Sequence, residues 1–413
     1  MVMILKVAGG LLLFLLVALG LAITIVPRFL DRIYYEGPAS DHFDGARFFN
    51  PDGDADTLAP PTGGSRAGFF WRYLTGNDGR PEWPKSVAVT PGRPEPRVEG
   101  ERMVVTWIGH ASVLVQTEGL NILTDPVWSD RAGPLGFGPT RVAAPGVRFE
   151  DLPKIDLVLV SHNHYDHLDK ATLKRLWDRD RPRIVTSLGN DSVIRGAGIP
   201  LASGSGRGVI ALDWNNRLRW ALRCEAPEIM DSDFRCPARA DVIISRNHHW
   251  GSRWFTDRNR ALWSAFTVEL PGGNLFFAGD TGLGDGEWPR EAAAHGPIRL
   301  ALIPIGAFRF VPGQMGSGSH IGPADAVRVF DRLGASTAIP IHWGTFRLSY
   351  EARDTPPRML DAILRGAGGD PSRFAPVEIG VPFDVPAYAA PVRRPDEARI
   401  AAMLQAPGVT ALR

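Results

Sequence analysis

A run of twenty residues without a charged side chain, from Val7 to Val26, stands out in the pattern of apolar and polar positions. As a helix with a rise of about 1.5 Å per residue, it would span about 30 Å, the thickness of a bilayer core. The alternative is a cleaved signal peptide, but the run is long for one, and its small-residue site at residues 20–22 lies inside the apolar stretch. We therefore expect residues 1–27 to form an uncleaved, single-pass transmembrane anchor.

Short apolar segments that alternate or run continuously begin after residue 100 and are typical of strands. The predicted strands are Met103–Trp107, Ser112–Gln116, Asn121–Thr124, Asp156–Val160, Arg183–Ser187, Asp241–Ser245, Ser264–Leu270, Asn274–Ala278, Leu300–Ile305, Thr337–Ile341 and Val377–Phe383. Helical spacing predicts helices over Asp169–Trp177 and Gly322–Leu333. Antiparallel strands followed by alternating strands and helices, and then the same mixture again, indicate a layered α/β domain.

The region before these strands is rich in proline, with five prolines between residues 81 and 96, a density that excludes regular elements. The aromatic residues Trp71, Tyr73 and Trp83 suggest that it packs on the main domain. We therefore predict four parts: the anchor (1–27), a Pro-rich wrapping extension (28–100), the layered α/β domain (101–386) and a Pro/Ala-rich C-terminal tail (387–413).

The charge balance limits the range of partners. Lys plus Arg is 46 and Asp plus Glu is 45, so the formal net charge of +1 gives no general attraction to nucleic acid, and we expect no nucleic-acid partner. Two cysteines, Cys224 and Cys236, exclude a thiolate zinc cluster. They either form a disulfide or are unrelated reduced thiols. A disulfide would require an oxidising compartment, and we expect the domain that follows the anchor to lie on the extracytoplasmic side.

The segment His162-Asn163-His164-Tyr165-Asp166-His167 carries the candidate chemistry. It holds three of the ten histidines of the chain and follows directly on the predicted strand Asp156–Val160. His162 and His164 point the same way in an extended chain, while Asp166 and His167 can face the same point from the following turn. Imidazole and carboxylate groups suit zinc, and also iron or manganese. The spacing therefore predicts a metal site at a strand end.

This segment resembles the His-x-His-x-Asp-His motif of the metallo-β-lactamase superfamily. The resemblance implies a four-layer αββα sandwich with a dinuclear metal site at one edge of its two sheets. It also implies later ligands after further strands, where the chain has Asn247-His248-His249-Trp250, Gly279-Asp280 and Ile341-His342. One metal is then expected on His162, His164 and His249, and the second on Asp166, His167 and His342, with Asp280 as the bridge. His249 is preferred to His248 because the His-Trp pair matches the branch described next, although the neighbouring His248 remains the alternative.

Segments around these positions resemble the branch of N-acyl-phosphatidylethanolamine-hydrolysing phospholipase D. They are residues 106–115, 122–126, 249–250, 257–263 and 320–323. The resemblance implies a phosphodiesterase with two zinc ions per chain that hydrolyses a phospholipid by metal-hydroxide attack at the membrane. Asp166 and His320 are the candidate catalytic residues; His320 would contact the scissile phosphate or protonate the leaving group, or it would be a helix-cap histidine. The stretch Leu201–Arg239 departs from the branch in being longer and more polar.

Two other functions remain open at this stage. The chain could be a tethered hydrolase of a soluble substrate, of the lactonase or nuclease type, or a non-catalytic metal-binding sensor. Retention of all seven ligand positions argues against the sensor. Asp125 and His110 are candidates for orienting a ligand histidine, with ordinary turn positions as the alternative. Arg309 either contacts a phosphate or is an ordinary surface residue, and both alternatives stay open. The sequence leaves the oligomeric state open.

Overall fold

Two mixed β-sheets lie at the centre of the fold in the computed structural model, which describes residues 2–53, 79–203, 206–222, 238–254, 256–310 and 313–412. The strands of the first sheet are β1 (Met103–Gly109), β2 (Ser112–Thr117), β3 (Leu120–Thr124), β4 (Leu157–Val160), β5 (Arg183–Ser187), β6 (Gly208–Leu212) and, from the end of the chain, β13 (Pro382–Val385). Those of the second are β7 (Arg217–Leu222), β8 (Ala238–Ser245), β9 (Ala265–Glu269), β10 (Asn274–Phe277), β11 (Ile298–Pro304) and β12 (Thr337–Ile341).

Each sheet joins an antiparallel half to a parallel half. The first has the order β13-β1-β2-β3-β4-β5-β6, antiparallel as far as β3 and parallel from β3 to β6. The second has the order β12-β11-β10-β9-β8-β7, parallel from β12 to β10 and antiparallel beyond. Strands β9 and β10 form an antiparallel hairpin, and its turn is Pro271-Gly272-Gly273. Because the parallel strands run in one direction, their carboxyl ends bring the following loops to one edge of each sheet.

Helices cover the outer faces of both sheets. The first helix, α1 (Val2–Leu30), precedes the domain and is not one of them. In the described residues the covering helices are α2 (Lys170–Asp180), α3 (Asn190–Arg195), α4 (Trp288–Ala293), α5 (Pro323–Leu333), α6 (Thr355–Gly366), α7 (Glu397–Met403) and α8 (Pro407–Thr410). The alternation of side chains along β2 shows the layering. Val113 and Val115 lie in the core between the sheets, whereas Leu114 packs with Leu173 and Leu176 of α2. Helices α4 to α6 pack in the same way on the second sheet, so the order of layers is helix, sheet, sheet, helix.

The described parts of the extension pack against this sandwich. Phe43 and Phe48 are buried in the core between the sheets. Val87 pairs with Ala143 through a β-bridge, and the indole of Trp83 donates a hydrogen bond to the Glu351 carbonyl. Trp71, Tyr73 and the two cysteines lie outside the described residues. The division of the chain into four parts stays a prediction.

Helix α1 is exposed along most of its length and is long and apolar enough, by length and composition, to cross a membrane. Its carboxyl end is fixed to the domain, since Asp31 forms ion pairs with Arg47 and Arg260. At the other end of the chain, Ile400 of α7 and Val409 of α8 pack in the core outside the second sheet. The predicted last strand, Val377–Phe383, is displaced to Pro382–Val385, because residues 379–381 turn before pairing with β1 begins.

Candidate metal centre

The loops that follow strand ends converge at one edge of the two sheets. The motif residues follow β4, His249 follows β8, Asp280 follows β10 and His342 directly follows β12. All seven positions expected from the sequence meet there in two groups, and within each group the candidate ligand atoms lie within 4.8 Å of one another. One group is His162, His164, His249 and Asp280, and the other is His110, Asp166, His167 and His342.

Asp280 lies between the two groups. Its Oδ2 is 3.1 Å from Nε2 of His167 and 3.0 Å from Nε2 of His342, and it is 4.0 Å from Nε2 of His249. One carboxylate therefore contacts imidazoles of both groups. Burial would raise the pKa of Asp280, but the adjacent His167 and His342 outweigh it and hold that pKa well below its usual value. The carboxylate is thus charged and oriented toward both sets of imidazoles.

The outward-facing nitrogens of three site histidines have partners that fix the orientation of the rings. Nδ1 of His167 is 2.6 Å from Asp125, Nδ1 of His249 is 2.9 Å from the Ser319 carbonyl, and Nδ1 of His342 is 3.2 Å from the Gly306 carbonyl. These acceptors require the proton on Nδ1, which leaves a lone pair on Nε2.

The inward-facing atoms point at one another. Nε2 of His167 and of His342 face the Asp280 carboxylate, and Nδ1 of His164 lies 2.8 Å from Nε2 of His162 and 3.4 Å from Nε2 of His249. Oδ1 of Asp280 is buried and forms no hydrogen bond within the described part of the chain. Buried polar atoms are normally paired, so a cluster of unpaired lone pairs on nitrogen and oxygen donors fits divalent metal ions. Burial also lowers the pKa of His164 to about 3, which keeps this imidazole neutral, as a ligand must be.

Asp125, one of the two residues left open by the sequence, is fully buried beneath the centre. It accepts hydrogen bonds from the Ser161 backbone amide (2.7 Å) and hydroxyl (2.6 Å) as well as from the His167 ring. This is the carboxylate–histidine arrangement that orients ligand imidazoles in metal sites. Asp125 is therefore not an ordinary turn residue, because its carboxylate contacts a histidine of the cluster.

His110, the other open residue, lies within the second group. Its Nε2 is 3.0 Å from Oδ2 of Asp166, and its ring centroid is 4.0 Å from that of His342. We did not expect it as a member of the cluster, because the family motif supplies seven positions without it. The signal available in the sequence was its place directly after the first predicted strand.

Left-handed backbone conformations concentrate at the centre. His110, Asp125 and His342 have φ values of +55°, +30° and +63°, which are costly for residues other than glycine. Gly279, before Asp280, has φ +60°, and a Cβ there would lie 2.7 Å from the side chain of Ser161. The surrounding fold thus holds several of these loops in strained conformations, as is common at functional sites.

His320 also reaches the centre, with Nδ1 3.8 Å from Oδ2 of Asp280. This Nδ1 is buried and has no hydrogen-bond partner among the described residues. His248, by contrast, faces away and contacts Asp52 at 3.0 Å, so the structure brings His249 and not His248 into the cluster. Arg309 is buried and donates to the carbonyls of Gln314 and Leu412, so it holds loops together and is not a surface residue.

The fold and the cluster define a metallo-hydrolase of the β-lactamase superfamily, and the family profile described as "Beta-lactamase superfamily domain" matches residues 120–343. The chain belongs to this family. Among solved structures, an isothiocyanate hydrolase from Delia radicum gut bacteria superposes with a TM-score of 0.50 at 16% identity, covering 69% of this chain and all of that one. Identity that low supports the fold alone.

The chain is more specifically similar to enzymes named for phospholipid hydrolysis. N-acyl-phosphatidylethanolamine-hydrolyzing phospholipase D 1 of Caenorhabditis elegans is 37% identical over 268 residues, 63% of this chain and 70% of the relative. The mitochondrial enzyme of that name from Saccharomyces cerevisiae is 31% identical over 286 residues, 68% of this chain and 56% of the relative. An uncharacterised protein of Mycobacterium tuberculosis is 35% identical and matched over 62% of its length. These matches span between 56% and 70% of the length of the relatives.

Proposed function

We propose that this metallo-hydrolase is a phosphodiesterase of the phospholipase D type that acts on N-acyl-phosphatidylethanolamine-like phospholipids. The observation that carries the proposal is the cluster around Asp280 in a chain that is similar, over most of its domain, to relatives named for this reaction. A soluble-substrate hydrolase of the lactonase type is the alternative outcome of the experiment below.

We further propose that the cluster holds two metal ions, with zinc as the first candidate and iron or manganese as alternatives. The ligands of one ion would be His162, His164 and His249, those of the other would be Asp166, His167 and His342, and Asp280 would bridge them. His110 contacts Asp166 and would orient it. Two divalent ions held this way supply Lewis acidity at the phosphate and lower the pKa of a bound water.

The protein side chains around the cluster have separate tasks in this proposal. Asp166 and His164 are partly exposed and mark the open side of the centre. His320 lies beside Asp280, and its Nδ1 has no hydrogen-bond partner among the described residues. From there it would form a hydrogen bond to the scissile phosphate or pass a proton to the leaving alcohol. Asp125 would hold the ring of His167 in a fixed tautomer throughout.

Adjacent histidines provide the decisive test of the metal assignment. Both His248 and His249 are buried, but only His249 points into the cluster. After purification in zinc, we expect metal analysis to give two equivalents for the parent chain and for His248→Ala, and a loss of about one equivalent for His249→Ala. Equal metal content in both variants would contradict the assignment.

The substrate assignment is tested on the same proteins. We expect the parent chain to release phosphatidic acid from N-acyl-phosphatidylethanolamine in mixed micelles, and His249→Ala to lower this rate by at least about a hundredfold. Hydrolysis of a lactone or of a small diester, without cleavage of the lipid, would favour the tethered soluble-substrate hydrolase instead.

The proposed location is a membrane, with residues 1–27 retained as an anchor. The support is the length and composition of α1. We expect mass spectrometry of the membrane fraction to show a chain that starts at its first residues, and deletion of residues 1–27 to release an active domain into solution. A mature chain that begins near Ala22 or Pro27 would show cleavage and contradict the anchor.

A further inference from the structure

A tight loop at residues 131–140 exposes two large apolar side chains. Leu135 is 87% exposed and Phe137 is 71% exposed, at the tip of the segment Gly133-Pro134-Leu135-Gly136-Phe137-Gly138. The base of the loop is closed by a hydrogen bond from the Ala132 amide to the Pro139 carbonyl and by a side-chain bond from Arg131 to the Gly138 carbonyl. The loop is thus held in place while its tip is left in water, which disfavours such side chains.

The base of this loop rests against the candidate metal centre. Ala132 is buried in a small apolar cluster with Val127 and Phe346. The ring of Phe346 lies edge-on to the ring of His110, with 5.1 Å between the centroids. One layer of side chains therefore separates the loop base from the second group of metal-site residues.

A basic cleft adjoins the loop on its other flank. It has a volume of about 470 Å³, and its charged lining residues, among those the structure describes, are Arg80, Lys85 and Arg347. Pro139 and Thr140 of the loop form part of its wall, and Trp83 forms another part. Anionic lipid surfaces attract such basic side chains, and an adjacent apolar tip adds the second contribution that stable attachment to a bilayer needs.

The segment that follows α1 approaches the other group of metal-site residues. Arg32 lies over the ring of Trp254, 5.9 Å from its centroid, and the ring of Trp250, four residues earlier, lies 4.3 Å from that of His164. The start of the domain therefore lies near the group of His162 and His164, and the base of the apolar loop lies near the group of His110 and His342.

From these contacts we propose that the loop 131–140 is a membrane-docking element. Leu135 and Phe137 enter the acyl region of an anionic phospholipid bilayer, and the cleft around Lys85 and Arg347 takes up lipid phosphates at its surface. Together with the end of α1, this contact turns the open side of the metal centre toward the bilayer. The inference rests on the proposed function only in its choice of a bilayer as the partner.

Hydrophobic photolabelling of the full chain tests the contact directly. Trypsin cleaves after Arg131 and Arg141, so the loop is recovered as the single peptide 132–141. In phosphatidylglycerol-containing vesicles that carry a diazirine on the acyl chain, we expect mass spectrometry to find label on this peptide. The peptide that ends at Arg393 is the internal control, because it carries Val392, which is 96% exposed but lies far from the loop in the chain.

Two variants separate the apolar and the charged contributions. The double variant Leu135→Ser/Phe137→Ser changes side chains with little packing of their own, so it folds, and we expect label on peptide 132–141 to fall by at least about tenfold. Lys85→Glu should lower that label by about fivefold in anionic vesicles and leave it unchanged in phosphatidylcholine vesicles. Added inorganic phosphate should not change the labelling of peptide 132–141, since the partner is the bilayer surface.

Equal labelling of peptide 132–141 and the Val392 control peptide, or labelling that the double variant leaves intact, would overturn the proposal. The outcome does not depend on the lipid that the enzyme cleaves. Labelled loops in a protein that fails to hydrolyse N-acyl-phosphatidylethanolamine would support docking and refute the proposed substrate instead.

Discussion

Replacement of Asp125 by Asn tests whether the carboxylate beneath the centre acts on metal binding. In the structure this carboxylate accepts three hydrogen bonds, two from Ser161 and one from the His167 ring. An amide of the same shape can accept on its oxygen only, and its NH2 group would face at least one donor. The ring of His167 would then lose its fixed tautomer or its orientation.

The expected size of the effect follows from these contacts. A hydrogen bond to a charged acceptor contributes about 1.5–3 kcal/mol. Loss of a carboxylate that orients a ligand histidine costs about 10–100-fold in metal affinity or activity. A factor of ten is about 1.4 kcal/mol, so the two estimates agree. We therefore expect Asp125→Asn to weaken zinc binding at one of two sites by about 10–100-fold.

The assay is a titration with a chromogenic chelator, followed in parallel with hydrolysis of a soluble diester. Asp156→Asn is the matched control, because Asp156 lies just before the amino end of β4, where it pairs with Arg97 and accepts from the Asn121 amide. It should lower thermal stability without changing metal affinity. Zinc affinity of Asp125→Asn within about twofold of the parent would refute the orienting role.

Two further predictions concern the bridge and the extension. Asp280→Asn should lower diester hydrolysis by at least about a hundredfold with the fold intact by circular dichroism, because a neutral amide cannot offset two dications, whereas Asp285→Asn nearby should match the parent. Burial opposes the charged form of His42, but the hydrogen bonds that its ring donates to Asp213 and Asp41 outweigh burial and raise the pKa of His42 above 6.5. The stabilisation from charged His42 is complete below pH 6.5 and is lost as the pH rises through its raised pKa. The difference in Tm between the parent and His42→Gln should therefore shrink from about pH 6 to about pH 9. A difference that stays constant over this range would contradict the stabilising role of charged His42.

The sequence predicted most strands of the sandwich because their apolar periodicity is set by burial on one or both faces. The strands around the motif, β3 to β5, were found within one or two residues. Helix α6 was missed, since Pro356 and Pro357 disguise its first turn, where proline is tolerated. The edge strands β6 and β7 were also missed: β6 is only five residues long and begins at Gly208, and β7 carries Arg217 and Arg219 in its first half.

Seven positions of the site followed from the family motif, and the structure brings all of them together. Contacts between distant segments were beyond reach, because they depend on how the loops pack. The ring contact between His110 and His342, the hydrogen bond from His167 to Asp125 and the contact of His248 with Asp52 are of this kind. The hydrogen bond from the Arg309 side chain to the Leu412 carbonyl likewise depends on where the C-terminal helices pack.

Neither half of the sandwich contains a complete candidate metal site. The group around His162 takes His249 and Asp280 from loops of the second sheet, and the group around His167 takes His342 from there. A chain in which the two sheets have formed but not yet met can offer only partial ligand sets, which bind metal weakly. Metal binding should therefore appear during folding only when the two sheets pack together. Removal of the metal by a chelator should weaken the packing between the sheets before it weakens the pairing of strands within either sheet.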